Sequence, residues 1–168
     1  MQKSLIHFGF LGLVFLLVEY IFRCLFYDSN YFHPALLLMF FVGGLCSLSI
    51  GQLNEIGWVN KNINIFWQSF IGMWMILIIE FFSGVSLNLI LKLDIWSYSK
   101  IPGNLMGQIC IPFAFIWFCL CPFGFWLDDT IRWYLWANKS KYLTVYRRPY
   151  GLLEIYSRFW NPMDKPFI

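Results

Sequence analysis

Charge is what this 168-residue sequence has least of: Asp, Glu, Lys and Arg together make up only 12% of it. A soluble domain usually carries about twice that fraction. Histidine is almost absent, with only His7 and His33, far apart in sequence, so no His/Cys metal set can be drawn. The five cysteines, Cys24, Cys46, Cys110, Cys119 and Cys121, show no CxxC spacing, which argues against a zinc or redox site and for small apolar packing residues. The phosphate-cradling Walker A loop is missing, as are GxSxG and HExxH. The adjacent acids Asp128 and Asp129 lack the spaced repeat of lipid-phosphate enzymes. No catalytic constellation is visible, no cofactor is expected, and no low-complexity tract appears.

What is abundant is apolar surface. Hydrophobic residues reach 60% and aromatics 22%, with 19 Phe, 9 Trp and 9 Tyr. In water so apolar a chain would expose large greasy patches; in lipid the same faces are suitable, and Trp and Tyr suit the headgroup region. The net charge of +3 is modest, and a bilayer, not a nucleic acid, is the expected partner.

Crossing roughly 30 Å of hydrocarbon takes about 20 mostly apolar residues. Four stretches qualify: about Leu5 to Phe26, Pro34 to Leu53, Ile65 to Leu91 and Leu105 to Leu127. No signal-cleavage site follows the first, which is read as a retained span. Breakers fill the links: Asp28-Ser29-Asn30 and Pro34, then Asn54, Gly57, Asn60, Asn62 and Asn64, then the stretch from Lys92 to Gly103. The expected fold is an all-α membrane bundle of about four helices over residues 1–128. A basic, aromatic cytoplasmic tail over 129–168 is read as lying on the membrane surface, with docking to a protein partner as the alternative. With the N-terminus inside, nine Lys and Arg fall on the inner side and three (Arg23, Lys92, Lys100) on the outer side, which favours both ends inside.

Two carboxylates stand out in the apolar runs. Glu80 lies mid-run in the third, with Gly84 and Asn88 on the same helical face at steps of four. Intramembrane acids are costly and face a protein interior or a water-filled path. Glu19 sits at a matching depth in the first run. Together they could form a proton relay, a cation site or a site that recognises a basic group, or Glu19 could pair with Arg23 and Glu80 make a structural hydrogen bond. Leu17-Val18-Glu19-Tyr20-Ile21 also parallels Ile78-Ile79-Glu80-Phe81-Phe82, as a duplicated hairpin would. The outer loop holds Asp94, Trp96, Tyr98, Ser99, Asn104 and Gly107. It reads as an interfacial anchor, with Asn104 the expected N-cap of the fourth helix.

Glu80-Phe81-Phe82-Ser83-Gly84, Ile95-Trp96-Ser97-Tyr98-Ser99 and Pro102-Gly103-Asn104-Leu105-Met106-Gly107-Gln108-Ile109-Cys110 resemble the bacterial ABC-transporter permease family of the CmpB type, whose pattern is roughly E-x-x-x-G, W-D-Y-S and P-x-N-x-x-G-x-I. Glu19 matches a first-span glutamate of that family. The resemblance covers about residues 5–125. Ser97 stands where the family usually has Asp, and Ser29 to Pro34 lacks its Arg-Gly and Tyr-Gly-Pro motifs. The resemblance implies a multi-pass protein of the bacterial cytoplasmic membrane. It would be a permease-like subunit for a small solute or ion, partnered by an ATPase, another membrane subunit or copies of itself. The alternatives are a non-transporting accessory, sensor or scaffold protein and, further off, a lipid-modifying membrane enzyme.

Overall fold

The computed structural model describes residues 2–26, 37–134, 151–157 and 159–160. The links at Asp28-Ser29-Asn30 and Pro34, and the tail over 135–150 and 161–168, lie outside them, as does the Arg23 side chain. Helices dominate. In chain order they are α1 (Gln2–Phe26), α2 (Leu38–Glu55), α3 (Gly57–Asn62), α4 (Ile65–Gly84, continued by a π-helical turn Val85–Ile90), α5 (Ile111–Arg132) and α6 (Leu152–Ser157). A two-stranded antiparallel hairpin, β1 (Asn104–Leu105) and β2 (Ile109–Cys110), precedes α5.

Each apolar run of the sequence holds a helix. Among the described residues two helices are long and apolar enough to cross a membrane, Ile65–Ile90 and Ile111–Arg132; shorter apolar helical stretches run over Phe8–Ile21 and Leu38–Leu53. Their outward side chains are large and apolar: Leu17, Val18, Phe41, Trp74, Ile78, Phe82 and Phe115 are all exposed.

Two expectations need correction. The Asn-rich link between the second and third runs is not all loop, because α3 occupies its middle. The fourth helix begins at Ile111, not Leu105, and Asn104 is not its N-cap. Asn104 lies in β1, where its Nδ2 donates to Ile101 O at 2.7 Å and its Oδ1 accepts from Gly107 N at 3.0 Å. Met106 and Gly107 follow at φ 53° and 71°, a left-handed pair that turns the chain into β2 and prevents a helix from starting there.

The chain forms two compact units, 1–48 with 75–114 and 49–74 with 115–168. In the first, phenyl rings of α1 meet glycines of α2. A Cβ on Gly44 would come within 2.7 Å of the Phe8 ring, and one on Gly43 would overlap Phe15. Such close approach is how helices pack where no water drives them together. Met39 and Ile95, both buried, form a core with Phe15, Leu16, Leu38, Leu87, Leu93 and Trp96. The loop after α4 is thus folded into this unit through Ile95.

In the second unit Ile50 of α2 is wedged between two glycines. A Cβ on Gly124 of α5 would lie 2.5 Å from Ile50 Cδ1, and one on Gly72 of α4 would lie 3.0 Å from Cys121 Sγ and 3.5 Å from Ile50 Cγ2. Gly51 lies against the Asp128 carboxylate, with no room for a Cβ. Asn64 caps α4 by accepting from Trp67 N at 3.1 Å. Ile65 and Ile155, both fully buried, pack with Trp126 and Phe159.

Candidate functional site

The polar face of α4 belongs to the first unit. Glu80 is 5% exposed and Asn88 8%, and Gly84 between them is buried. Ile78 and Phe82, on the other side, are half or more exposed. One helix therefore has an apolar outer face and an inner face of acid, glycine and amide. Acids on apolar helices are costly and face a protein interior or a water-filled path.

Asn88 sits in the π-helical turn, a local widening common at functional sites. Its side-chain amide bonds to the stretch between α4 and α5. Its Nδ2 donates to Trp96 O at 2.9 Å and to Gln108 Oε1 at 2.8 Å, and its Oδ1 accepts from Ile95 N at 2.8 Å. Gln108, 2% exposed, donates in turn through Nε2 to Met106 O at 3.0 Å. Its Oε1 also presses on Gly84, where a Cβ would collide with it. The close approach explains why this face carries glycine one turn beyond Glu80.

The remaining loop residues brace this plug. Trp96 Nε1 donates to Gln108 O at 3.1 Å. Tyr98 N donates to Gly107 O at 2.7 Å, and the Tyr98 ring lies 4.6 Å from that of Phe113. Ser99 and Ser97 share a hydroxyl–hydroxyl bond of 3.1 Å. Asp94 stands exposed at φ 54°. Of the expected site residues, Gly84, Asn88, Trp96, Tyr98, Ser99, Asn104 and Gly107 thus belong to one connected loop-and-helix structure. Glu80 lies one turn along the same face. Glu19, half-buried on α1, lies in the same unit.

Gln108 was not singled out from the sequence, although a lone Gln bordering the apolar run of α5 is the visible sign. In the second unit Asp128, 1% exposed, is held by Arg132 Nε at 2.6 Å. The adjacent-acid pattern at 128–129 is thus partly a helical i,i+4 ion pair. Gln68 and Ser69 are fully buried; Gln68 Nε2 donates to Ile63 O at 2.7 Å, while Gln68 Oε1 and Ser69 Oγ have no hydrogen-bond partner among the described residues. No group of three or more His, Cys, Asp or Glu that could hold a metal ion occurs among the described residues.

Apolar helices with a buried acid and a loop tied to the acid's own helix define a helical protein with membrane-crossing capacity and a polar interior face. The family model described as "Putative ABC-transporter type IV" matches residues 4–146, and the chain belongs to that family. No curated protein and no solved structure matches it.

Proposed function

We propose that this chain is a multi-pass subunit of a bacterial cytoplasmic-membrane transporter, with both ends inside and four spans over α1, α2, α4 and α5. It moves a small solute or ion, energised by a separate ATPase. The observation that carries this reading is Glu80: an acid 5% exposed in the middle of a helix whose other face is apolar, in a chain belonging to an ABC-transporter family. The chain itself has no Walker A loop, so a partner must hydrolyse the nucleotide.

In this reading Glu80 is the ionisable group of the pathway. Gly84 lets the outer loop close over it, and the Asn88–Gln108 bond holds that loop down. Glu19 supplies a second carboxylate at comparable depth. Four spans are few for a complete pathway, so the working form contains further subunits.

The test is Glu80→Gln, which keeps shape and hydrogen bonding but cannot ionise. In vesicles containing the complex, the variant is expected to insert and assemble normally and to lose ATP-driven flux of protons or cations, followed with a pH- or ion-sensitive dye. Unchanged flux would remove Glu80 from the mechanism.

A further inference from the structure

The segment around α6 raises a question that the transport reading does not answer: what covers its outer face. Residues 152–157 and 159–160 lie along α5. Tyr156 OH donates to Cys119 O at 3.0 Å, the Phe159 and Phe118 rings are 5.8 Å apart, and Ile155 packs on Trp126. The apolar run of α5 ends at Leu127, just before buried Asp128. At about 1.5 Å per residue, Cys119 lies roughly 13 Å up the helix from Asp128, and Trp126 about 3 Å. The segment therefore runs beside the apolar part of α5, above its acidic end.

Its outer face is apolar and bare. Leu153 is 84% exposed, Trp160 70% and Tyr156 40%; beside them Trp67 and Phe70 of α4 and Leu120 and Phe123 of α5 are also exposed. Trp160 stacks on Phe66 at 5.1 Å, and Phe66 meets Trp67 edge-on at 5.3 Å, so the exposed rings continue from α6 onto α4.

Several backbone groups of the segment are paired within the protein. Ile155 N donates to Gly151 O at 3.1 Å and Phe159 N to Tyr156 O at 3.3 Å. Phe159 O accepts from Phe66 N at 3.0 Å, and Trp160 O from Asn64 Nδ2 at 3.4 Å. Polar backbone in hydrocarbon must be paired within the protein, and the bonds to Phe66 and Asn64 meet that need at the segment's C-terminal end.

We infer that residues 152–157 with 159–160 form a lipid-immersed segment, held in cis against α4 and α5, with acyl chains of the leaflet at the Asp128 end covering Leu153, Tyr156 and Trp160. The inference rests on the membrane reading above. The segment lies near the acyl boundary, where amphipathic helices rest about 5–10 Å deep. The flanking sequence fits anionic headgroups, with Arg132, Lys139, Lys141, Arg147, Arg148 and Lys165 against Asp164.

The experiment places a fluorescent amino acid at Leu153 in the full chain, reconstituted in vesicles containing phosphatidylglycerol. Leu153 packs on almost nothing, so the fold should tolerate the change. A second sample carries the probe at exposed Ile78 of α4. Each is challenged with an aqueous quencher admitted to both sides of the membrane, and separately with nitroxide-labelled lipid. Position 153 is expected to be quenched by the acyl-chain nitroxide and several-fold less by the aqueous agent than the free fluorophore is. If position 78 behaves as lipid-exposed while 153 is quenched like a probe in water, the lipid-immersed segment is wrong and the membrane reading survives. If position 78 is also quenched like a probe in water, the membrane reading itself fails.

Discussion

Asn88 Nδ2 donates to Gln108 Oε1 across 2.8 Å, joining the π-helical turn at the end of α4 to a residue 20 positions further along the chain. Both side chains are buried, at 8% and 2% exposure. A buried amide pair is a demanding joint: removing either partner strands the other, at about 1–3 kcal/mol per unsatisfied group. The bond ties the outer loop to the helix that carries Glu80.

Asn88→Ala should therefore lower the stability of the detergent-purified protein by about 2–3 kcal/mol, since it strands Gln108 Oε1, Trp96 O and Ile95 N at once. Gln108→Ala should cost a similar amount. The double variant should cost less than the sum, with a coupling of about 0.5–3 kcal/mol, because the two share one bond. Strict additivity in chemical denaturation would mean that the pair is not formed.

Glycines separate by what stands beside them. Gly84→Ala drives a methyl into Gln108, and Gly51→Ala drives one into the Asp128 carboxylate; each should cost about 1–3 kcal/mol as overpacking. Gly9→Ala meets nothing within 4 Å and should be neutral or gain up to about 1 kcal/mol from helix propensity. Thermal melts of the three variants side by side check the order.

The Asp128–Arg132 ion pair is lopsided: the acid is 1% exposed and the Arg side chain 23%. Arg132→Gln leaves a charge buried, whereas Asp128→Asn leaves a cation that can turn toward solvent. The Arg variant should thus be the more damaging, approaching the roughly 3–5 kcal/mol of a broken buried pair. Equal losses in denaturation would contradict the burial argument.

Ile155 and Ile65 are both fully enclosed, although they lie 90 positions apart. Ile155→Ala should cost about 2–5 kcal/mol. Leu153→Ala, at a side chain 84% exposed, should change stability by less than about 0.5 kcal/mol. Comparing the two by denaturation tests whether the α6 segment is an integral part of its unit.

How far the sequence carried depends on the range of the interactions. The third apolar run predicted a helix from Ile65 to Leu91, and the helical stretch is Ile65–Ile90, because a long apolar run needs no partner to declare itself. The face shared by Glu80, Gly84 and Asn88 was legible from steps of four. The start of α5 was not, because the left-handed turn at Met106–Gly107 overrides the apolar character of Leu105 and Met106. Gln108 escaped notice because its meaning comes from Asn88, distant in sequence. Asp128–Arg132 has a readable i,i+4 spacing, but Asp128 was weighed only together with adjacent Asp129. Nothing local in Leu152–Ser157 indicates that Ile155 meets Ile65.

The central claim is that this chain works as a membrane subunit alongside a separate ATPase. The most direct measurement is mild-detergent affinity purification of the tagged full chain from native membranes, with its companions identified by mass spectrometry and its ATP hydrolysis assayed. The account predicts that the chain partitions with the membrane fraction and brings down a nucleotide-hydrolysing protein in near-stoichiometric amount. A chain recovered alone, with no ATPase activity and no membrane companion, would contradict it.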